Sequence, residues 1–199
     1  MNGDRAAVHG AILLAAGASR RLGHAKQLIE FDGEPLLRRA ARALLATQPL
    51  ECVVVLGHDA ARMRAALAGL PVREVLAADH EEGLSASLRA GVAALDARCA
   101  GALVALTDQP ALQVDHLLAL CDAWRAQPQC AVASAYADVL GVPALLPRSW
   151  FADVACLRGD VGARELLRRR GAVPLAAPAL AHDVDTPADR ERLRGEESA

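Results

Sequence analysis

Apolar runs of strand length alternate with helix-length segments along this chain, and that alternation decides most of what it can fold into. Val8 to Ala15, Cys52 to Leu56, Val72 to Leu76, Ala102 to Leu106 and Cys130 to Ala135 read as strands. Between them, Leu36 to Thr47, Asp59 to Leu67, Ser85 to Ala97 and Val114 to Arg125 carry helical spacing, with Asp59 placed to cap its helix. A β-α-β-α-β order predicts an α/β fold: a three-layer, Rossmann-like, mostly parallel sheet with helices on both faces. Ligands of such sheets sit beyond the carboxyl ends of the strands. After residue 136 the rhythm loosens. An extended piece over Gly141 to Pro147, a short helix from Trp150, a turn at Gly159-Asp160 and a helix over Gly162 to Arg170 are expected there. The Arg168-Arg169-Arg170 run that ends this helix reads as a solvated terminus that offsets the helix dipole.

The length of 199 residues predicts one domain with a sizeable core. Two Trp, two Phe and one Tyr leave few rings for stacking on bases, and a formal net charge of −2 argues against a nucleic-acid partner. The five cysteines form no C-x-x-C pair, so they read as free thiols of a reducing compartment, mostly small core residues. With no apolar stretch of membrane-spanning length and no signal-like start, the expectation is a cytoplasmic protein with no membrane partner.

The first strand empties into a loop of small residues, Leu14-Ala15-Ala16-Gly17-Ala18-Ser19-Arg20-Arg21-Leu22-Gly23, with Lys26 close behind. Small side chains let a backbone approach a ligand, and successive N–H groups can face one anion-sized hollow. Arg20 and Lys26 add full positive charges, which together form a recipe for holding the phosphates of a nucleoside triphosphate. The spacing is not that of a Walker A loop, because five residues separate Gly17 from Gly23 and Lys26 precedes Gln27. Nor does it offer the three glycines of a dinucleotide fingerprint.

Two acidic positions complete the picture. Asp108, in Leu106-Thr107-Asp108-Gln109-Pro110, follows a buried strand at the expected cleft edge; Asp185 lies in Asp183-Val184-Asp185-Thr186-Pro187-Ala188-Asp189. Each has a plain reading, as a turn residue or a helix-entry residue. The functional reading brings them together around Mg²⁺, a hard cation satisfied by one or two carboxylates plus phosphate and water.

The loop fits the pattern L-A-A-G-x-S-x-R-x-G-x-x-K and resembles that of the molybdenum cofactor cytidylyltransferases and the wider MobA-like nucleotidyltransferases. The resemblance extends to residues 83–91, 106–110, 141–145, 159–164 and 183–189, in the family's order. It implies a single nucleotidyltransferase domain, with a nucleotide-binding half at about 8–110 and an acceptor-binding half at about 111–194. It implies that Leu14, Ala15, Ala16, Gly17, Ser19, Arg20, Lys26, Gly83, Ser87 and Asp108 contact the nucleotide. Asp108 and Asp185 would hold Mg²⁺, or Mn²⁺ in its place, and Gln109, Pro143, Asp160 and Arg164 would meet the acceptor. Some relatives carry His where this chain has Val142, which removes an imidazole from that edge.

The reaction so implied is transfer of a nucleoside monophosphate, CMP from CTP, onto the phosphate of a molybdopterin-type acceptor, with release of pyrophosphate. Arg20, Lys26, Asp108 and Asp185 would carry it. A phosphate monoester is largely ionised near neutral pH, so its oxygen needs no dedicated base. A guanylyl or sugar-phosphate version of the reaction, or a non-catalytic accessory protein that hands cofactor to a molybdoenzyme or its maturation factor, are the competing readings.

Overall fold

The computed structural model describes residues 7–17, 25–159, 162–181 and 189. In chain order the elements are β1 (His9–Ala15), β2 (Glu30–Phe31), β3 (Glu34–Pro35), α1 (Leu36–Ala46), β4 (Cys52–Leu56), α2 (Ala60–Leu67) and β5 (Arg73–Leu76). Next come α3 (Leu84–Ala94), β6 (Gly101–Leu106), α4 (Val114–Ala126), β7 (Val132–Tyr136), β8 (Val139–Pro147), α5 (Phe151–Ala155), α6 (Ala163–Arg170) and β9 (Val173–Ala176). Seven strands form one sheet in the order β5-β4-β1-β6-β8-β7-β9, while β2 and β3 pair separately. The sheet is mostly parallel, with β8 antiparallel to both of its neighbours.

Strand periodicity splits the core into two. Ala11, Leu13 and Ala15 of β1 point to one face, where they meet Leu37, Leu44, Met63, Leu117 and Trp124 of α1, α2 and α4. Ile12 and Leu14 point to the other, against Leu88 and Val92 of α3, Val154 of α5 and Leu166 and Leu167 of α6. A strand covered on both faces is apolar at consecutive positions, which is why β1, β4 and β6 stand out so plainly in the sequence.

From β1 the chain winds outward through β4 to β5, then returns by α3 to lay β6 on the far side of β1. Reversing the winding direction moves the crossover helix to the opposite face, as right-handed connections require. The reversal opens a crevice between the carboxyl ends of β1 and β6, the switch point at which open α/β sheets bind ligands. β8 enters the sheet from a two-residue turn, Ala137 (φ 48°) and Asp138 (φ 60°), both left-handed as a tight hairpin of this kind demands.

Three sequence expectations change. Asp59 does not cap α2: it adopts a left-handed φ of 57° with no capping bond, and pairs with Arg62 at 3.0 Å instead. Arg170 is not merely solvated, since it reaches Asp153 at 3.4 Å and lies over the Trp150 ring. Cys52, Cys99 and Cys121 are buried as expected, but Cys130 is only partly so and Cys156 is exposed. No helix among the described residues is long and apolar enough to cross a membrane.

Candidate active site

The crevice at the switch point gathers residues that the sequence spreads widely. On one wall, β1 ends at Ala15 and the backbone continues through Ala16 to an exposed Gly17. Leu14, Ala15 and Ala16 are buried, so they can offer only backbone to a ligand. Their path is fixed by Gln27, itself 1% exposed, whose Nε2 donates to the Gly17 carbonyl at 2.8 Å and to the Ala15 carbonyl at 3.3 Å. Gly57 lets the exit of β4 lie against this loop: a Cβ there would fall 2.8 Å from the Ala16 carbonyl oxygen and 2.7 Å from the His80 ring.

On the opposite wall, β6 delivers Asp108 and Gln109, both nearly buried. Lys26, at the start of a 3₁₀ turn, crosses the crevice and forms a short ion pair with Asp108 Oδ2. The second carboxylate oxygen, Oδ1, is buried and accepts no hydrogen bond among the described residues. A desolvated oxygen without a donor is costly, and a carboxylate that keeps one oxygen open fits a site for a cation. The chemistry of the donor set therefore suits a divalent metal on Asp108, although no group of three or more His, Cys, Asp or Glu ligands occurs among the described residues.

Gly83 immediately precedes α3. Its φ of 107° and ψ of −171° lie where side chains are strained, and the turn it makes starts α3. Ser87 sits in the first turn of α3 and is buried, with 4% exposure. The same helix is tied to the segment between α5 and α6. Ser85 N donates to the Gly159 carbonyl at 3.2 Å, and Arg89 reaches the Leu157 carbonyl at 2.7 Å.

Beside Asp108, the Gln109 amide donates to the Val142 carbonyl at 3.0 Å, where the Tyr136 hydroxyl also donates at 2.9 Å. Ser134 Oγ donates to the carbonyl of Pro143, at 2.7 Å, and Pro143 itself is buried. Arg164 is exposed on α6. The residues brought together are thus Gly17, Lys26 and Asp108, with Gln109 linking them to β8. Ser19, Arg20, Asp160 and Asp185 lie outside the described residues. Position by position, the arginine of the loop pattern falls on Arg21, next to Arg20. Gln27 and Tyr136 were not singled out from the sequence, because a buried amide and a hydroxyl that bond backbone carbonyls leave no spacing signal.

The model of the MobA-like NTP transferase domain matches residues 11–174. The chain belongs to the MobA-like NTP transferase family. Within it, the chain is 33% identical to nicotine blue oxidoreductase of Paenarthrobacter nicotinovorans, over 92% of this chain and 94% of that protein. It is 30% identical to the purine catabolism protein PucB of Bacillus subtilis strain 168, over the same shares of the two chains. Among solved structures, Rv0371c of Mycobacterium tuberculosis H37Rv superposes with a TM-score of 0.83 at 31% identity, covering 94% of this chain and 98% of that one. A second structure of Rv0371c is a complex with manganese. The family and its fold make this chain a nucleotidyltransferase-type protein.

Proposed function

We propose that the protein transfers CMP from CTP to the phosphate of a molybdopterin-type acceptor, releasing pyrophosphate. The observation that carries this reading is the Lys26–Asp108 pair at the switch point, with one buried carboxylate oxygen left without a hydrogen-bond partner among the described residues. An acceptor phosphate oxygen attacks the α-phosphorus, one P–O bond forms, and the bond to the β-phosphate breaks in line. Such a reaction needs alignment and charge balance more than acid or base groups.

In this reading Lys26 neutralises the phosphates as they gather, together with Arg20 or Arg21. Gln27 keeps the Gly17 backbone in place to receive them, and Gly83 and Ser87 border the nucleoside. Asp108, with Asp185 as the resemblance implies, would hold Mg²⁺ or Mn²⁺. The manganese in Rv0371c supports a divalent ion in a fold of this kind. When bound, such an ion supplies positive charge to oxygens around the transferred phosphorus. Gln109, braced on Val142, stands between the metal acid and the acceptor half.

The test is pyrophosphate release with Mg²⁺ and a molybdopterin-type cofactor, comparing CTP, GTP, ATP and UTP, with Asp108→Ala as control. Release with CTP alone, lost in the variant, is the expected result. Release with another nucleotide keeps the mechanism and changes the base. A redox reading follows only from the name of one relative; it would give an absorbance change with a nicotinamide and no pyrophosphate.

A further inference from the structure

A second hollow opens on the acceptor side of the same sheet edge. It encloses about 470 Å³ between the β7–β8 turn and the start of α6, a volume within the range of small-molecule sites. Val139 and Leu140 give it an apolar floor, and Gly162 forms part of one wall. Asp138, Arg164, Glu165 and Arg168 stand around its rim, all four exposed.

Resting on the reading proposed above, we infer that this hollow seats the ring portion of the acceptor, a flat nitrogen heterocycle whose edge carries both N–H donors and carbonyl oxygens.

Position is the first argument. Because β8 runs antiparallel to β6, its first residues lie at the edge where Asp108 leaves β6. Along that edge the sheet order places the Gly17 loop, then Asp108, then the β7–β8 turn. The Gln109 amide, bonded to the Val142 carbonyl at 3.0 Å, joins Asp108 to the strand that forms the floor. An acceptor whose phosphate reaches the crevice can therefore rest its remainder in the hollow.

Charge is the second. Arg164 and Arg168 are four residues apart on one face of α6, where like charges repel. Neither forms an ion pair with Glu165, Asp138 or any other described residue, whereas Arg170 on the same helix is paired with Asp153 and stacked on Trp150. Two guanidiniums and two carboxylates make a rim of both signs with no net charge. A second phosphate would meet Asp138 and Glu165 unfavourably. A ring edge with donors and acceptors can satisfy both, since carboxylates only accept and guanidiniums only donate. Its face would lie on Val139 and Leu140.

The test uses the full chain with CTP, Mg²⁺ and a molybdopterin-type cofactor. Steady-state kinetics are measured beside direct calorimetric binding of that cofactor. In Arg164→Ala/Arg168→Ala, the acceptor KM and Kd should rise at least tenfold while the KM for CTP stays within twofold. Arg169→Ala, outside the hollow on the same helix, should change neither. Asp138→Asn/Glu165→Gln should also weaken the acceptor; tighter binding in that variant would mean that the hollow holds an anion, and would overturn the inference. An unchanged acceptor KM in the double arginine variant, with turnover intact, overturns it while leaving the transferase reading standing. If the wild-type chain releases no pyrophosphate with any nucleotide, that reading fails and binding alone decides. Cofactor bound by wild type and lost in the arginine variant upholds the hollow; cofactor not bound, or bound equally, overturns it.

Discussion

Lys26 meets Asp108 across 82 positions of sequence, and the contact closes the crevice between β1 and β6. Both side chains are largely withdrawn from water, at 18% and 11% exposure. A pair so desolvated is weak evidence for stability, because the cost of removing two ions from water offsets their attraction. Its placement makes sense as pre-arranged charge for a polyanionic substrate.

Lys26→Ala and Asp108→Asn should each reduce pyrophosphate release on the order of a hundredfold to a thousandfold. Lys26→Ala should in addition lower stability by about 2 kcal/mol, since it strands a nearly buried carboxylate. Lys26→Met/Asp108→Leu should be inactive yet melt at or above the wild-type temperature. A double variant less stable than Lys26→Ala would show that the pair does hold the fold together.

Gln27→Ala should raise the KM for nucleotide about fivefold through loss of two backbone contacts worth about 1 kcal/mol between them. The acceptor KM should stay near wild type, because the Gln27 amide holds the carbonyls of Ala15 and Gly17 at the exit of β1. Equal effects on both substrates would argue that the loop serves the whole site.

Stability should fall on acidification through the range set by His9. Burial, aided by the charge of Arg125, holds the folded-state pKa of this imidazole down at about 4, below the ordinary 6.5. Between those values the unfolded chain takes up a proton that the folded one refuses. The contribution is complete above about pH 6.5 and is lost as pH falls to about 4, some ~3 kcal/mol in all. His9→Gln, which can still reach Thr47, should flatten the melting profile over that window; an unchanged slope would place the effect elsewhere.

Thiol labelling should separate the cysteines. Burial pushes the Cys52 thiol up to about 12 and that of Cys121 up to about 11, so neither should react at pH 8 without unfolding. Exposed Cys156 should label first. Mass spectrometry after brief alkylation reads the order directly.

Strands with two covered faces were legible from composition alone, and β4 is found at the residues expected, Cys52–Leu56. β9 was not, because Pro174 interrupts its four residues and reads as a break, yet a proline is tolerated on an edge strand, where one side has no partner. The antiparallel insertion of β8 was also hidden. Its pairing with β6 depends on contacts between distant segments, which local periodicity does not encode. At the site, Lys26 and Asp108 could be chosen by residue type and loop context. Their contact could not, and the hollow shared by Asp138, Arg164 and Arg168 required the hairpin and α6 to be seen side by side.

The tight turn at Ala137–Asp138 has a consequence for how such a protein can diversify. β1, β4 and β6 are locked by crossover helices, so altering their ends disturbs packing on both faces of the sheet. The tip that joins β7 to β8 is a two-residue turn between its own paired strands, and can be lengthened, shortened or recharged without rethreading the chain. The parallel strands are thereby kept as a fixed chassis, while the tip is an exchangeable fitting.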